Sequence, residues 1–249
     1  VRADTGSYAK LYCDRKNIRF VSTGVINHEG SCGENVTYFL DSAACTLTVS
    51  GTGDMANCST YGTAPWYLYR DYVKKVNIES GVATVGNITF YNHEYLSEAT
   101  IPDTVTAIGY HAFQNCPSLT SIVIPDSVAS IGSYAFYNCS KLGSVTMSKN
   151  VREYAYSLFE GCSALSNFTI PDGVVSIRGR VFSGTGITVI HVPNSVTYIE
   201  GAGFAGLTDV TVRADTGSYA KLYCDRKNID FVSTGVINRE GSCGENVTY

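Results

Sequence analysis

Apolar positions recur along this chain with a short period of 23 residues. Phe90, Phe113, Phe136, Phe159, Phe182 and Phe204 follow one another at intervals of 23, 23, 23, 23 and 22. Pro102, Pro125, Pro171 and Pro193 hold the same register, with Ser148 replacing one proline, and Cys116, Cys139 and Cys162 each lie three residues after a phenylalanine. One copy, residues 121–143, reads SIVIPDSVASIGSYAFYNCSKLG. Ile122 and Ile124 alternate with other residues as in a short strand with one buried face. Pro125 has no N–H to donate and ends that strand, and Asp126 and Ser127 are turn formers. Val128, Ile131, Ala135 and Phe136 then point inward from a loop and a short helical turn. Gly132 and its equivalents Gly109 and Gly179 sit where the chain bends, and Cys139 and Leu142 close the coil. One coil cannot bury its own apolar face. A stack of coils buries a continuous core, with strands roughly 4.8 Å apart. The pattern predicts an α/β repeat solenoid with short parallel strands and the six phenylalanines in one buried stack.

A longer period encloses the short one. Residues 1–38 recur as residues 212–249, an offset of 211, with differences only at Arg19/Asp230 and His28/Arg239. The simplest account is a tandem array whose unit is 211 residues long, one full unit and the start of the next being present here. A single duplicated segment is the alternative. Within the unit, residues 36–40 and 46–50 read as a β-hairpin around 41–44, placed to cover the open edge of the first coil. Residues 66–75 read as a short helix leading into a first strand at 76–78. Residues 214–228, with Tyr219, Leu222 and Tyr223 at helical spacing, read as a closing helix, followed by a short strand at Phe231 and Val232. The expected organisation is therefore 1–24, the closing cap of a preceding unit; 25–75, a leading hairpin module; 76–210, the solenoid; 211–235, the closing cap; and 236–249, the start of the next unit.

The coils resemble the BspA-like leucine-rich repeat family, whose repeat runs Ile-Pro-x-x-Val-x-x-Ile-Gly-x-x-Ala-Phe-x-x-Cys-x-x-Leu. Residues 124–142 and 101–119 match it position for position. The flanks are similar to segments that accompany this family. Cys32-Gly33-Glu34-Asn35, Leu47 to Gly53 and Pro65-Trp66 resemble its leading segment, and Gly217-Ser218-Tyr219-Ala220 with Tyr223 and Phe231 resembles its closing cap. The resemblance covers essentially the whole chain. It implies a right-handed leucine-rich-repeat solenoid with extracellular or cell-surface display, roles in adhesion or surface structure, and no catalytic residues.

Composition narrows the function. Charged residues are 16%, the net charge is −4 and the pI is about 5.6, so no concentrated basic face for nucleic acid is expected. Arg178 and Arg180 are too few to make one. No apolar run reaches the length of a membrane span. The four histidines, at 28, 93, 111 and 191, share no ligand spacing. Asp103, Asp126 and Asp172 recur only because the Pro-Asp turn recurs. Ser50-Gly51-Thr52-Gly53 lacks the lysine and following helix of a phosphate loop. Neither catalytic residues, a metal site nor a cofactor is expected.

Cys116, Cys139 and Cys162 occupy one ladder position and read as buried free thiols, since thiolates in a single line make a poor tetrahedron for a metal. Cys13, Cys32, Cys45 and Cys58, with the duplicates Cys224 and Cys243, lie in caps and leading modules, where an even set in an extracellular chain favours disulfides. Three connectivities are open. The hairpin brings Cys32 near Gly53, within reach of Cys58, which favours Cys32–Cys58 and leaves Cys13–Cys45. Asn35, Asn57, Asn87, Asn138, Asn167 and Asn246 are Asn-x-Ser/Thr sequons, glycan acceptors if the chain passes through a eukaryotic secretory route and plain polar surface otherwise. The expected function is structural: a tandem-repeat extracellular protein building a fibre, appendage or stalk, whose partners are neighbouring units of the same protein. The alternative is an adhesin or ligand-binding solenoid using the exposed strand face at Ser121, Val123, Ser144 and Asn167.

Overall fold

In the computed structural model, which describes residues 2–5, 21–25 and 27–236, each 23-residue copy forms one turn of a parallel-strand solenoid of about seven turns. Three backbone ladders tie each turn to the next. The first passes through Thr46–Gly51, Lys75–Ile78 and Glu98–Thr100, then Ser121–Val123 paired with Ser144–Thr146, then Val189–His191, Thr211–Thr216 and Asp230–Val236, all parallel. Its register is the repeat itself: Ser121 faces Ser144 and Ile122 faces Val145. The second passes through the pairs Val82–Val85, Ala107–Ile108 and Ser130–Ile131, and then Glu153–Tyr154, Ser176–Ile177 and Tyr198–Ile199. The third runs through the turns. The N–H groups of His111, Phe113 and Asn115 donate to the carbonyls of Ser133, Ala135 and Tyr137 at 3.0, 2.8 and 2.8 Å, and the same three bonds recur one coil later from Tyr134, Phe136 and Asn138.

That third ladder rests on a conformational repeat. Two residues before the buried phenylalanine, Ile88, His111, Tyr134, Ser157 and Arg180 all have φ between 53° and 62°. Two residues after it, Asn92, Asn115, Asn138, Gly161, Gly184 and Gly206 are also left-handed. The phenylalanine is thus held between two αL residues and directed into the core. Asn and Gly suit αL; the β-branched Ile88 and the bulky Tyr134 do not.

Phe90, Phe113, Phe136, Phe159 and Phe182 are fully buried, and neighbouring rings stack at 5.0, 5.5, 5.7 and 6.2 Å. Phe168 comes in from the strand side, 5.3 Å from Phe159 and 5.1 Å from Phe182, where that spacing is widest. Trp66 closes the head of the stack at 5.5 Å from Phe90, its indole N–H donating to the Thr89 carbonyl at 3.0 Å. At the other end Phe204 is buried and meets Tyr223 edge-on at 5.5 Å.

The leading hairpin pairs Val36–Asp41 with Thr46–Gly51, and His28–Ser31 adds a third antiparallel strand outside it. Gly51, at φ 117°, ends the strand where a side chain would lie 2.0 Å from the Asn35 carbonyl. Three elements differ from expectation. Residues 66–75 form no α-helix: only Tyr67–Tyr69 is 3₁₀, and the backbone bonds here, such as Tyr69 to Trp66 and Tyr72 to Tyr69, span three residues. Burial of Trp66 takes precedence over an extended helix. The closing helix is shorter than expected, Tyr219–Lys227, because Thr211–Thr216 continues the strand ladder. Ser218 caps it by accepting from the Lys221 N–H, and Asn228 ends it in αL. The coils contain turns rather than helical segments, and among the described residues the α-helix is that of the closing cap.

Candidate functional site: the faces of the solenoid

On the strand face Ile122 is buried while Ser121 and Val123 point out, Val123 remaining 61% exposed. Ser144 and Thr146 repeat this outward placement. In the next coil Asn167 is exposed and Phe168 is buried. The strand there is reduced to a single bridge, Thr169 to His191. The face is therefore mostly short hydroxyl side chains.

Among the sequons, Asn35, Asn57, Asn138 and Asn167 are exposed and Asn87 is half-buried. Asn57 and Asn87 also carry structure. The Asn57 side-chain carbonyl accepts from the Asn87 N–H at 2.8 Å, and that of Asn87 from the Tyr110 N–H at 2.9 Å, extending the turn ladder by side chains. Asn246 lies outside the described residues.

The ladder thiols are buried and free. Cys116, Cys139 and Cys162 each donate to the carbonyl of the phenylalanine one coil back: Phe90 at 3.2 Å, Phe113 at 3.1 Å and Phe136 at 3.1 Å. Burial pushes the Cys116 thiol well above its ordinary range. The expected disulfides are corrected. Cys32, Cys45, Cys58 and Cys224 are free thiols, so no Cys32–Cys58 bond is present. Cys32 and Cys58 are buried beside a cavity of about 500 Å³ that Trp66 also lines, and they pack as small apolar groups. Burial, together with repulsion from Cys58, pushes Cys32 up to about 12, and burial pushes Cys224 up to about 11. Cys45 sits at the hairpin turn with φ 54°, its thiol 3.8 Å from the Ser42 carbonyl. An even cysteine count at the ends of a repeat unit does not distinguish a disulfide from small apolar filler. Cys13 and Cys243 lie outside the described residues, but with Cys45 free the expected Cys13–Cys45 bond is absent as well.

Two features escaped the sequence reading. His93 stands 23 residues before Cys116, at the head of the thiol column. It is fully buried, its Nδ1 is 3.1 Å from the Tyr91 carbonyl, and its Nε2 has no partner. Burial pulls its pKa down to about 4. The spacing to Cys116 was the available signal. The second feature is a run of surface rings. Tyr61 and Tyr91 lie 4.3 Å apart, Tyr61 and His111 5.6 Å, His111 and Tyr134 4.9 Å with planes 6° apart, and Tyr134 and Tyr137 5.8 Å. His111 and Tyr134 share one repeat position and Tyr91 and Tyr137 another, which was the available signal; Tyr61, in the leading module, joins them only in the fold.

Among the described residues no group of three or more His, Cys, Asp or Glu side chains is placed to hold a metal ion, and no helix is long and apolar enough to cross a membrane. Stacked coils tied by three backbone ladders define a repeat scaffold. Residues 83–211 match the BspA type leucine-rich repeat region in six copies, and the chain belongs to that family. The fold is shared with the crystal structure of a leucine-rich repeat protein from Eubacterium ventriosum, at 23% identity and a TM-score of 0.53 over 75% of this chain and 44% of that one. This chain thus spans less than half the length of that relative. A leucine-rich repeat protein from Bacteroides ovatus is similar at 18% identity and a TM-score of 0.47, covering 87% of this chain and 67% of that one. A leucine-rich cell surface protein from Faecalibacterium prausnitzii is similar at 16% identity and a TM-score of 0.38, covering 83% and 95%. No match is found among curated proteins.

Proposed function

We propose that this chain is part of an extracellular structural protein in which 211-residue units are joined end to end to build a fibre, appendage or stalk. One observation carries the reading. In the first copy of the cap Arg2 pairs with Val21, Ala3 with Ser22 and Thr5 with Val25; in the second Arg213 pairs with Val232, Ala214 with Ser233 and Thr216 with Val236. The two copies use the same register, including the irregularity after the alanine. Only Ile26 and Asn27 separate the first cap strand, Val21–Val25, from the first strand of the next hairpin, His28–Ser31. A connection that short restricts the relative orientation of successive units. On this reading a unit boundary falls near residues 24–27 and again near 235–238, and the partners are copies of the same unit. Membership of the BspA-type family supports surface display. The strand-face adhesin reading has less support, because Ser121, Ser144 and Thr146 are short side chains and offer few of the large anchors that dominate binding energy. Cryo-electron microscopy of native material tests the proposal. A filament with one axial repeat per unit agrees with it, and isolated globular particles contradict it.

A further inference from the structure

The coil position two residues before the core phenylalanine is left-handed, and in two successive coils it holds a large ring: His111 at φ 55° and Tyr134 at φ 61°. Both side chains are only half-buried. They form the middle of a ribbon of six rings. Tyr61, 53% exposed, lies against Tyr91 and His111; Tyr110, 39% exposed, meets His111 at 4.9 Å; and Tyr134 and Tyr137 continue it. The ribbon runs across successive coils and opens into a cavity of about 440 Å³ whose polar lining is Gln114, Ser157, Glu160 and Arg180.

The chemistry of this surface is selective. Its apolar area comes from rings that each carry a polar atom. Its charges cancel: Arg180 donates to both Glu160 oxygens at 2.6 to 3.2 Å. The Gln114 amide is hydrogen-bonded to His111, and burial holds that imidazole below its ordinary pKa and so neutral near pH 7. A nucleic acid or sulfated polymer would call for unpaired cations. Flat rings beside planar amide, carboxylate and guanidinium groups fit a ligand with apolar C–H faces and hydroxyl edges. We propose that this ribbon binds an uncharged glycan, a short run of neutral sugar units lying across the coils. Coils rise by roughly 5 Å, close to the length of one pyranose, so successive sugar rings keep step with successive aromatic rings.

Calorimetric titration of the 249-residue chain with cellohexaose, laminarihexaose, chitohexaose and mannohexaose tests this, with a sulfated heparin fragment as the charged comparison. At least one neutral hexasaccharide is expected to bind with a submillimolar Kd that salt leaves unchanged. Tyr134→Gly and Tyr61→Ser are each expected to weaken it by about tenfold or more. Tyr134→Gly relieves the left-handed strain, so its melting temperature is expected to hold or rise while affinity falls, which separates lost binding from lost folding. Val123→Ser, on the strand face, is expected to leave affinity unchanged. Absence of binding by all four neutral sugars at millimolar concentration overturns the proposal. So does full affinity in both tyrosine variants, or binding confined to the heparin fragment and lost on adding salt.

Discussion

At position 93 the column that elsewhere holds cysteine holds an imidazole, fully buried and with one nitrogen unpartnered. In the folded chain it stays neutral down to about pH 4, against an ordinary value of 6.5. In the unfolded chain it takes up its proton near 6.5, so between those values the unfolded state binds more protons. Stability is therefore fully present above pH 6.5 and falls as the pH drops toward 4, by about 3 kcal/mol from this one group. His93→Cys, which restores the repeat residue, is expected to flatten that dependence when urea unfolding at pH 7.5 and 4.5 is compared. Unchanged acid sensitivity in the variant would place the loss elsewhere. One coil along, Phe136 is fully buried between Phe113 and Phe159. Phe136→Ala is expected to cost about 3–5 kcal/mol in the same measurement, through lost burial and an unfilled cavity. The thiols make a third test. Cys116, Cys139 and Cys162 are expected to resist alkylation in the native chain and to react only on unfolding. Cys45, half-exposed at the hairpin turn, is expected to label first. Early labelling of Cys139, read by mass spectrometry, would mean that the coils open locally.

The turn ladder shows what a sequence reveals about an element and what it hides. The 23-residue spacing places the stacked phenylalanines from Phe90 to Phe182, and alternating apolar residues, Ile122 and Ile124 and then Val145 and Met147, place the strands at 121–123 and 144–146, because burial and strand alternation are written directly in residue type. The left-handed column after the phenylalanine was also readable, since Asn92, Asn115, Asn138, Gly161, Gly184 and Gly206 are the residues that tolerate it. The column before it was not: Ile88, His111, Tyr134, Ser157 and Arg180 share no side-chain property, and only backbone hydrogen bonding to the next coil fixes their conformation. Part of the ring ribbon follows the repeat, His111 with Tyr134 and Tyr91 with Tyr137, while Tyr61 joins it only through the fold. The expected helix at 66–75 failed because aromatic content there serves the Trp66 cap rather than a helical face. Asn115→Val places a β-branched residue at φ 57° and is expected to cost about 2 kcal/mol in chemical unfolding, whereas Asn115→Gly is expected to be nearly neutral. Equal effects from the two would mean that the side chain, not the backbone, is what this position requires.

At the scale of the whole molecule the chain is a stack that invites continuation. Trp66 and the hairpin cover its head, and Tyr223 on the closing helix covers the last ring. On the proposed reading only Ile26 and Asn27 lie between one unit's cap and the following hairpin. Seven coils at roughly 5 Å contribute about 35 Å of length per unit, before the caps are added. The direct test is to express chains of one, two, three and four complete units and to measure their lengths and inter-unit angles by electron microscopy. The account predicts a constant increment in length for each unit added and one narrow distribution of angle between neighbours. Lengths that grow only as the square root of unit number, with a broad spread of angles, would contradict it.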